Sequence, residues 1–279
     1  MRTEADVRSD NFGGLDEKFW ARRPLIGMVH LPALPGSPAD SGRGMQAVID
    51  SAVADARDLE SGGATAIMVE NFFDAPFAKD RVPPHTIAGM TVAVMSVRRA
   101  VGLPIGVNVL RNDARSAIAI AHVCGAQFVR VNVWVGAAVT DQGIIEGAAR
   151  DAILYRRELG ADVAIFADVF VKHAVPLGGG SLQDAARDAV HRGLADALIV
   201  TGSSTGAPTR PEDVAAVKAA VPGTPVLVGS GLDVSTAAAM MAHADGAIVG
   251  TGLKRGGDVA APVEPERVRG LRAAMRAAR

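Results

Sequence analysis

The stretch Val226-Leu-Val-Gly-Ser-Gly-Leu-Asp233 contains the pattern that decides the fold of this chain. A short apolar run, rich in β-branched residues, stops at a glycine-containing segment, and a helix-like stretch follows. Such a run is too short for a buried helix, so it is interpreted as a strand. The pattern occurs eight times, at residues 25–29, 66–69, 105–109, 128–133, 163–167, 197–200, 226–228 and 247–249.

The spacing between these runs predicts how the strands are connected. About 20 to 40 residues with amphipathic character separate successive runs, which indicates β-then-α units and a parallel sheet with helical crossovers. Eight such units in one domain predict an α/β protein with a single-domain (β/α)8 TIM barrel. The 279 residues slightly exceed the roughly 250 that this fold needs. We therefore expect an N-terminal extension at residues 1–23 and the barrel at 24–279.

Charge and composition exclude several function classes. The 29 basic and 30 acidic residues give a formal charge of −1, so no global field attracts nucleic acid or an acidic membrane. The low aromatic content, 4%, also argues against a surface that stacks bases. The single cysteine, Cys124, rules out an internal disulfide and fits a small core position in a reducing compartment. No apolar stretch is long enough for a membrane span, so a cytoplasmic protein is expected.

The connections differ in length on the two sides of the predicted barrel. Long segments rich in proline or glycine follow three of the strands, at residues 31–44, 71–84 and 172–180. Segments that lead from helix back to strand are short, such as 62–64 and 102–104. In such barrels the βα loops carry the active site, whereas the opposite face maintains the fold. The asymmetry favours an enzyme, with residues 31–44 as a candidate lid.

Strand alternation predicts which side chains face the barrel axis. Since successive side chains point to opposite faces, Asn108 faces inward if Val107 and Val109 pack against helices. The same reasoning sends six polar side chains toward the mouth of the barrel: His30, Glu70, Asn108, Arg130, Asn132 and Asp168. Two interpretations stay open, a mutually satisfied polar plug, with Arg130 paired to Glu70 or Asp168, and a functional site. Burying several charges without use is costly, which favours a site.

Lys172 and His173 follow Asp168 at the end of the fifth strand. A carboxylate, an amine and an imidazole there suit proton transfer, and a desolvated lysine also suits a Schiff base. A solvated loop lysine is the alternative. We predict catalytic roles for Glu70, Asp168, Lys172, His173 and His30, and substrate binding by Asn108, Arg130 and Asn132. No cofactor is predicted; a divalent metal at these His and acidic residues stays open, although no metal motif supports it.

Two glycine-flanked hydroxyls follow the seventh and eighth strands, in Gly229-Ser230-Gly231 and Gly250-Thr251-Gly252. Many barrels hold a phosphate at this place, because glycines let backbone amides approach an anion. Tight βα turns are the alternative. Lys254 would add positive charge, and the segment 201–206 would add hydroxyls and amides. The predicted phosphate-binding residues are therefore Thr201, Gly202, Gly229, Ser230, Gly231, Gly250 and Thr251, as in a ribulose-phosphate-binding barrel.

Several long segments resemble the BtpA/SgcQ family. They are Ile26-Gly-Met-Val-His-Leu-Pro-Ala-Leu-Pro-Gly-Ser-Pro38, Met68-Val-Glu-Asn-Phe-Phe-Asp-Ala-Pro-Phe77, Pro104-Ile-Gly-Val-Asn-Val-Leu-Arg-Asn-Asp113 and Thr140-Asp-Gln-Gly-Ile-Ile-Glu-Gly147. Ala167-Asp-Val-Phe-Val-Lys-His-Ala174 and Leu198-Ile-Val-Thr-Gly202 extend the resemblance, which runs from about residue 24 to 268. The resemblance implies a TIM barrel. The family is named for a cyanobacterial factor needed for photosystem I, and some bacterial relatives look like components of sugar-metabolism gene clusters.

Two functions of different classes follow. The first is a cytosolic enzyme that acts on a phosphorylated sugar or related metabolite, as a lyase, isomerase or hydrolase. The second is a non-catalytic factor for biogenesis of a membrane complex such as photosystem I. A polar mouth and an anion site favour the enzyme, whereas an exposed apolar patch would favour the factor. No nucleic acid or transmembrane segment is expected, and a homo-oligomer stays open.

Overall fold

The computed structural model describes residues 12–202 and 209–278. The strands in these ranges are β1 (Leu25–His30), β2 (Ala66–Glu70), β3 (Ile105–Asn108), β4 (Phe128–Val131), β5 (Ala137–Thr140), β6 (Gly143–Glu146), β7 (Ala164–Val169), β8 (Val175–Pro176), β9 (Ala197–Val200), β10 (Val226–Val228) and β11 (Gly246–Val249). The α-helices are α1 (Glu17–Ala21), α2 (Gly44–Gly62), α3 (Pro84–Ala100), α4 (Ala114–Cys124), α5 (Ala149–Glu158), α6 (Leu182–Arg187), α7 (Pro211–Ala220), α8 (Ala237–Met241) and α9 (Pro265–Ala277). Short 3-10 turns occur at Phe12–Gly14, Phe72–Asp74, Thr251–Leu253 and Arg255–Gly257, and a π turn at Asp188–Arg192.

The eight strands predicted from the sequence close into one parallel barrel. Their order around it is β1-β11-β10-β9-β7-β4-β3-β2, and the chain crosses between successive strands on the outside. The TIM-barrel prediction is therefore confirmed. The amphipathic segments between the predicted strands contain helices, as expected, with α2, α3 and α4 following the first three strands.

Two apolar layers hold the barrel together, and strand alternation separates them. Ile26, Met28 and Met68 pack inside the barrel in one cluster with Phe128 and Phe166, whose rings stack 4.6 Å apart. The alternate residues, including Val29, Val69 and Val107, pack outward against the helices. Gly106 lies beside Phe128, and a Cβ at Gly106 would come within 2.1 Å of that ring. A glycine is therefore needed for the phenylalanine to fill the interior.

Residues 13–21 cover the amino-terminal end of the barrel. Leu15 is buried against the interior cluster, with Phe19 and Trp20 beside it. The Trp20 ring lies 5.7 Å from the ring of Phe166. The backbone amide of Gly13 donates a hydrogen bond to Oδ1 of Asp162 at 2.7 Å. This end of the barrel is consequently closed by side chains, and the opposite end carries the open mouth.

A small antiparallel sheet, absent from the sequence prediction, lies on the mouth side. The hairpin β5–β6 follows β4, and β8 joins it from the loop after β7, giving the order β6-β5-β8. The run predicted to be a strand at 128–133 consequently ends at Val131, and the chain leaves the barrel there. The predicted irregular connection at 172–180 contributes β8 through Val175, which pairs with Val139.

Candidate active site

Strand register brings four of the predicted side chains to one level of the barrel. His30 lies beside Glu70 on the neighbouring strand, Glu70 beside Asn108, and Asn108 beside Arg130. All six predicted mouth residues, the other two being Asn132 and Asp168, are buried. The sequence prediction of their orientation is in agreement with this arrangement.

A hydrogen-bonded network links four of these groups. Arg130 donates two hydrogen bonds to Asp168, from Nε to Oδ2 at 3.1 Å and from Nη2 to Oδ1 at 3.0 Å. Nδ2 of Asn132 donates to Oδ2 of Asp168 at 2.8 Å, and Nδ2 of Asn108 donates to Oδ1 of Asn132 at 3.2 Å. Burial alone would lower the pKa of Arg130, but the carboxylates of Asp168 and Glu70 outweigh it and raise that pKa. The network fixes a charged guanidinium at the bottom of the mouth.

His30 and Glu70 form a pair that burial keeps toward its neutral forms. Nε2 of His30 lies 3.9 Å from Oε1 of Glu70, and the His30 ring stacks on Phe72 at 4.4 Å. Burial, with smaller contributions from Lys254, Lys172 and Arg130, lowers the pKa of His30 to about 3. Burial also raises the pKa of Glu70, although Arg130 and Lys172 oppose the shift. The contact is therefore one between a neutral imidazole and a carboxyl group that resists ionisation.

Lys172 and His173 reach the same mouth from the loop after β7. Burial and the positive charge of Arg130 lower the pKa of Lys172, while Glu70 and Asp168 act in the opposite direction. His173 is more exposed, and burial with the charge of Lys172 lowers its pKa as well. A lysine and a glutamate whose pKa values are shifted toward each other can exchange protons with a bound molecule near neutral pH.

One cavity of about 1030 Å³ joins these groups to the glycine segments after β10 and β11. His30, Glu70, Arg130 and Lys172 line it together with the segments 229–231 and 250–252. Four of the predicted acid–base groups, with His173 as the fourth beside His30, Glu70 and Lys172, thus face the same space as the two glycine segments. The cavity lining does not include Asp168, Thr201 or Gly202. The size of the cavity suits a small organic ligand rather than a bare anion.

Contacts within the protein already engage several groups at the predicted anion end. Nζ of Lys254, which was expected to add positive charge here, is buried and paired with Oδ2 of Asp55 on α2, so the Asp55 carboxylate compensates its charge. The Gly202 amide donates to Oγ of Ser230 at 2.7 Å, and Oγ1 of Thr201 accepts from the Lys172 amide at 3.2 Å. These contacts brace the loops against one another. Residues 203–206, expected to add hydroxyls and amides, lie outside the described residues.

The cavity also contains residues that the sequence reasoning missed. Phe72, Phe73 and Phe77 line it from the loop after β2, and Arg111 and Asp141 line it from the loops after β3 and β4. Alternation along a strand says nothing of these residues, because they lie beyond the strand ends. The long connection at 71–84, with three phenylalanines in a chain poor in aromatics, is the signal that would have found the apolar wall.

Possible metal ligands and the single cysteine are the remaining candidates for chemistry in this chain. Within residues 12–202 and 209–278, no three His, Cys, Asp or Glu side chains are arranged to share a metal ion. Cys124 is buried on α4, its Sγ lies 3.5 Å from the carbonyl oxygen of Thr91, and burial raises the pKa of its thiol. It contacts the helix layer and lies away from the mouth. No helix in the described part of the chain has both the length and the apolar character required to cross a bilayer.

Solved structures with the same architecture share only the fold with this chain. A thiamine phosphate pyrophosphorylase from Pyrococcus furiosus superposes with a TM-score of 0.60 at 14% identity, covering 93% of this chain and 98% of the other. A phosphoribosyl anthranilate isomerase from Thermus thermophilus gives 0.56 at 14% identity, covering 91% and 100%. These neighbours confirm the (β/α)8 barrel fold.

Sequence comparison defines the family. The Photosystem I biogenesis protein BtpA of Synechocystis is 48% identical over 261 residues, which is 94% of this chain and 91% of that protein. An uncharacterized protein of Thermococcus kodakarensis is also 48% identical, over 90% of this chain and 94% of its own length. The model of the BtpA family matches residues 21–277, so the chain belongs to the BtpA family.

Proposed function

We propose that this protein is an enzyme that acts on a phosphorylated sugar or a related small metabolite by acid–base chemistry at the mouth of the barrel. One observation carries the proposal: ionisable groups with shifted pKa values and two glycine segments line a single cavity. A scaffold would gain nothing from such an arrangement, because each buried charge lowers its stability. A catalyst gains proton donors and acceptors at a fixed distance from a bound phosphate.

Each predicted residue has a role in this proposal. The backbone amides of 229–231 and 250–252 hold the phosphate of the substrate. Asn132 lines the cavity and helps to orient the substrate hydroxyls, and Asn108 supports Asn132 through a hydrogen bond. Glu70 and Lys172 transfer protons, since burial shifts the two pKa values in opposite directions. His30, neutral at physiological pH, accepts or donates a hydrogen bond without adding charge. Asp168 keeps Arg130 charged and in place, and His173 lies at the rim.

Thermal unfolding in the presence of sugar phosphates tests the proposal. A ligand with micromolar affinity, added at millimolar concentration, stabilises a folded protein by about 4 kcal/mol. We expect at least one aldose or ketose phosphate to raise the melting temperature, whereas the same sugar without phosphate does not. If no phosphorylated sugar in a broad panel raises it, the substrate class is wrong.

A second function, assembly of a membrane complex, is favoured by one exposed surface. Ile144, Val139 and Val175 form a cross-strand row on the outer face of the small sheet. Their exposed fractions are 48%, 42% and 67%, respectively. Exposed apolar rows of this kind are typical of contact surfaces. The name of the Synechocystis relative is consistent with such a role.

Complementation in Synechocystis separates the two functions. The chain would replace the cyanobacterial relative, and accumulation of photosystem I would be measured. Loss of rescue by Glu70→Gln with full rescue by a Val139→Thr, Ile144→Thr, Val175→Thr variant favours the enzyme. The reverse result favours the assembly factor.

A further inference from the structure

Arg111 is a buried cation whose hydrogen-bonding capacity is largely unused. Its side chain lines the cavity and is only 6% exposed. Among the described residues, its side chain makes one hydrogen bond, from Nη2 to the carbonyl oxygen of Lys172 at 2.8 Å. Its Nε is buried and has no partner there. A guanidinium has five N–H donors, so this one can make further contacts that the described residues do not supply.

Two other buried arginines are each paired with a carboxylate. Arg130 is held by both oxygens of Asp168, and Arg156 pairs with Asp196 at 2.8 Å. Arg111 has no carboxylate within ion-pair distance among the described residues. Among the described residues, Arg111 is therefore available for an acidic group of a bound ligand.

Lys172 adds a second positive charge at the same place. Its ammonium makes no hydrogen bond or ion pair with another described residue, and its backbone carbonyl is the group that Arg111 contacts. Burial lowers the pKa of Arg111, and burial together with Arg130 lowers that of Lys172. Asp141 lines the cavity, but it is exposed and forms no ion pair with either residue. Positive charge in this corner is therefore only partly compensated, which is costly in a desolvated cavity.

We propose that Arg111 and Lys172 form a subsite for a second acidic group of the ligand. The inference rests on the proposed function, in which the first acidic group is the phosphate at 229–231 and 250–252. Both places line the same cavity, so the ligand carries two anionic groups on one small skeleton. A carboxylate and a second phosphate share the chemistry that a guanidinium recognises, namely oxygens that accept paired N–H donors.

Calorimetric titration with matched ligand pairs tests the subsite and identifies the group. The first pair is glycerol 3-phosphate and 3-phosphoglycerate, which differ in a carboxylate. The second pair is ribose 5-phosphate and ribose 1,5-bisphosphate, which differ in a phosphate. We expect one pair to show at least a tenfold lower Kd for the doubly acidic member. The pair that shows this difference identifies the second acidic group as a carboxylate or a phosphate.

Variants assign the gain to Arg111. Arg111→Gln should remove the preference for the doubly acidic member and leave the Kd of its singly acidic partner unchanged. Arg150→Gln makes the same change at an exposed position and should leave all four values unchanged. Lys172→Met should reduce the preference as well, and it provides the test if circular dichroism shows that Arg111→Gln does not fold.

Failure of the subsite and failure of the proposed function give different binding results. Binding of the singly acidic ligands with no preference in either pair, or a preference that survives Arg111→Gln and Lys172→Met, overturns the subsite and leaves the proposed function intact. If neither sugar phosphate nor bisphosphate binds at millimolar concentration, the proposed function and this inference both fail.

Discussion

Arg130 and Asp168 meet across adjacent barrel strands, and both side chains are almost completely shielded from solvent. Two nearly parallel hydrogen bonds join the guanidinium to the carboxylate, while Asn132 occupies a further lone pair of Oδ2. The pair is thus a fixed charged support beneath the cavity. Its removal is expected to affect stability before it affects any proton transfer.

Asp168→Asn tests this support. The substitution leaves Arg130 buried without its counter-charge, so the free energy of unfolding should fall by about 3–5 kcal/mol. Denaturation in urea, monitored by circular dichroism, measures the change. Asp151→Asn removes the acidic member of an exposed pair with Arg150 and should cost at most about 1 kcal/mol. Equal losses in the two variants would contradict the structural role of Asp168.

The lowered pKa of His30 predicts a dependence of stability on acidity. Between about pH 6.5 and 3 the unfolded chain binds a proton at this residue and the folded protein does not. The contribution of His30 to the free energy of unfolding should therefore fall by about 1.4 kcal/mol per pH unit as the pH drops through this window. His30→Asn should remove that slope. Urea denaturation of both proteins between pH 4 and 7 provides the comparison, and parallel curves would refute the shift.

The raised pKa of Glu70 predicts the opposite pH dependence of the free energy of unfolding. Because its pKa is raised in the folded protein, its stabilising contribution is complete below the unfolded value and is lost as the pH rises through the folded value. Glu70→Gln mimics the protonated form, so its stability relative to the parent protein should improve from pH 5 to pH 9. Glu158→Gln, at an exposed position, serves as control. A difference between Glu70→Gln and the parent that does not change with pH would argue against a buried, reluctant acid.

Gly250→Ala tests the close approach of the eighth strand's loop to the acid–base groups. A Cβ there would lie 2.8 Å from Cε1 of His30, so the imidazole or the loop must move. We expect a loss of about 1–3 kcal/mol in unfolding free energy, as for other overpacked sites, and weaker binding of sugar phosphates. At Gly223 nothing lies within 4 Å of an added Cβ, so Gly223→Ala should cause no loss of stability. Calorimetric melting of the two variants decides the point.

The sequence alone is sufficient to predict the eight strands, the helical crossovers between them and the orientation of the polar side chains on the strands. These features depend on local order: apolar runs, a period of two residues, and glycine or proline at the ends. The inward orientation of His30, Glu70 and Asn108 is therefore predictable from the sequence alone.

Tertiary structure alone decided the rest of the site. The register between strands places the four side chains at one level of the barrel. Arg130 pairs with Asp168 rather than with Glu70, and both oxygens of the Asp168 carboxylate accept hydrogen bonds from its planar guanidinium. The alternation of side chains does not extend beyond the end of a strand. For this reason it predicted neither the pairing of Lys254 with Asp55 nor the position of Arg111 in the cavity lining. In the small sheet Val139 pairs with Val175, which follows it by 36 positions in the chain, and pairing over such a distance produces no local periodicity in the sequence. The local sequence pattern determines which side chains of a strand face the barrel interior, because it depends on neighbouring residues only. Three-dimensional packing determines which groups those side chains contact, because the partners come from distant parts of the chain.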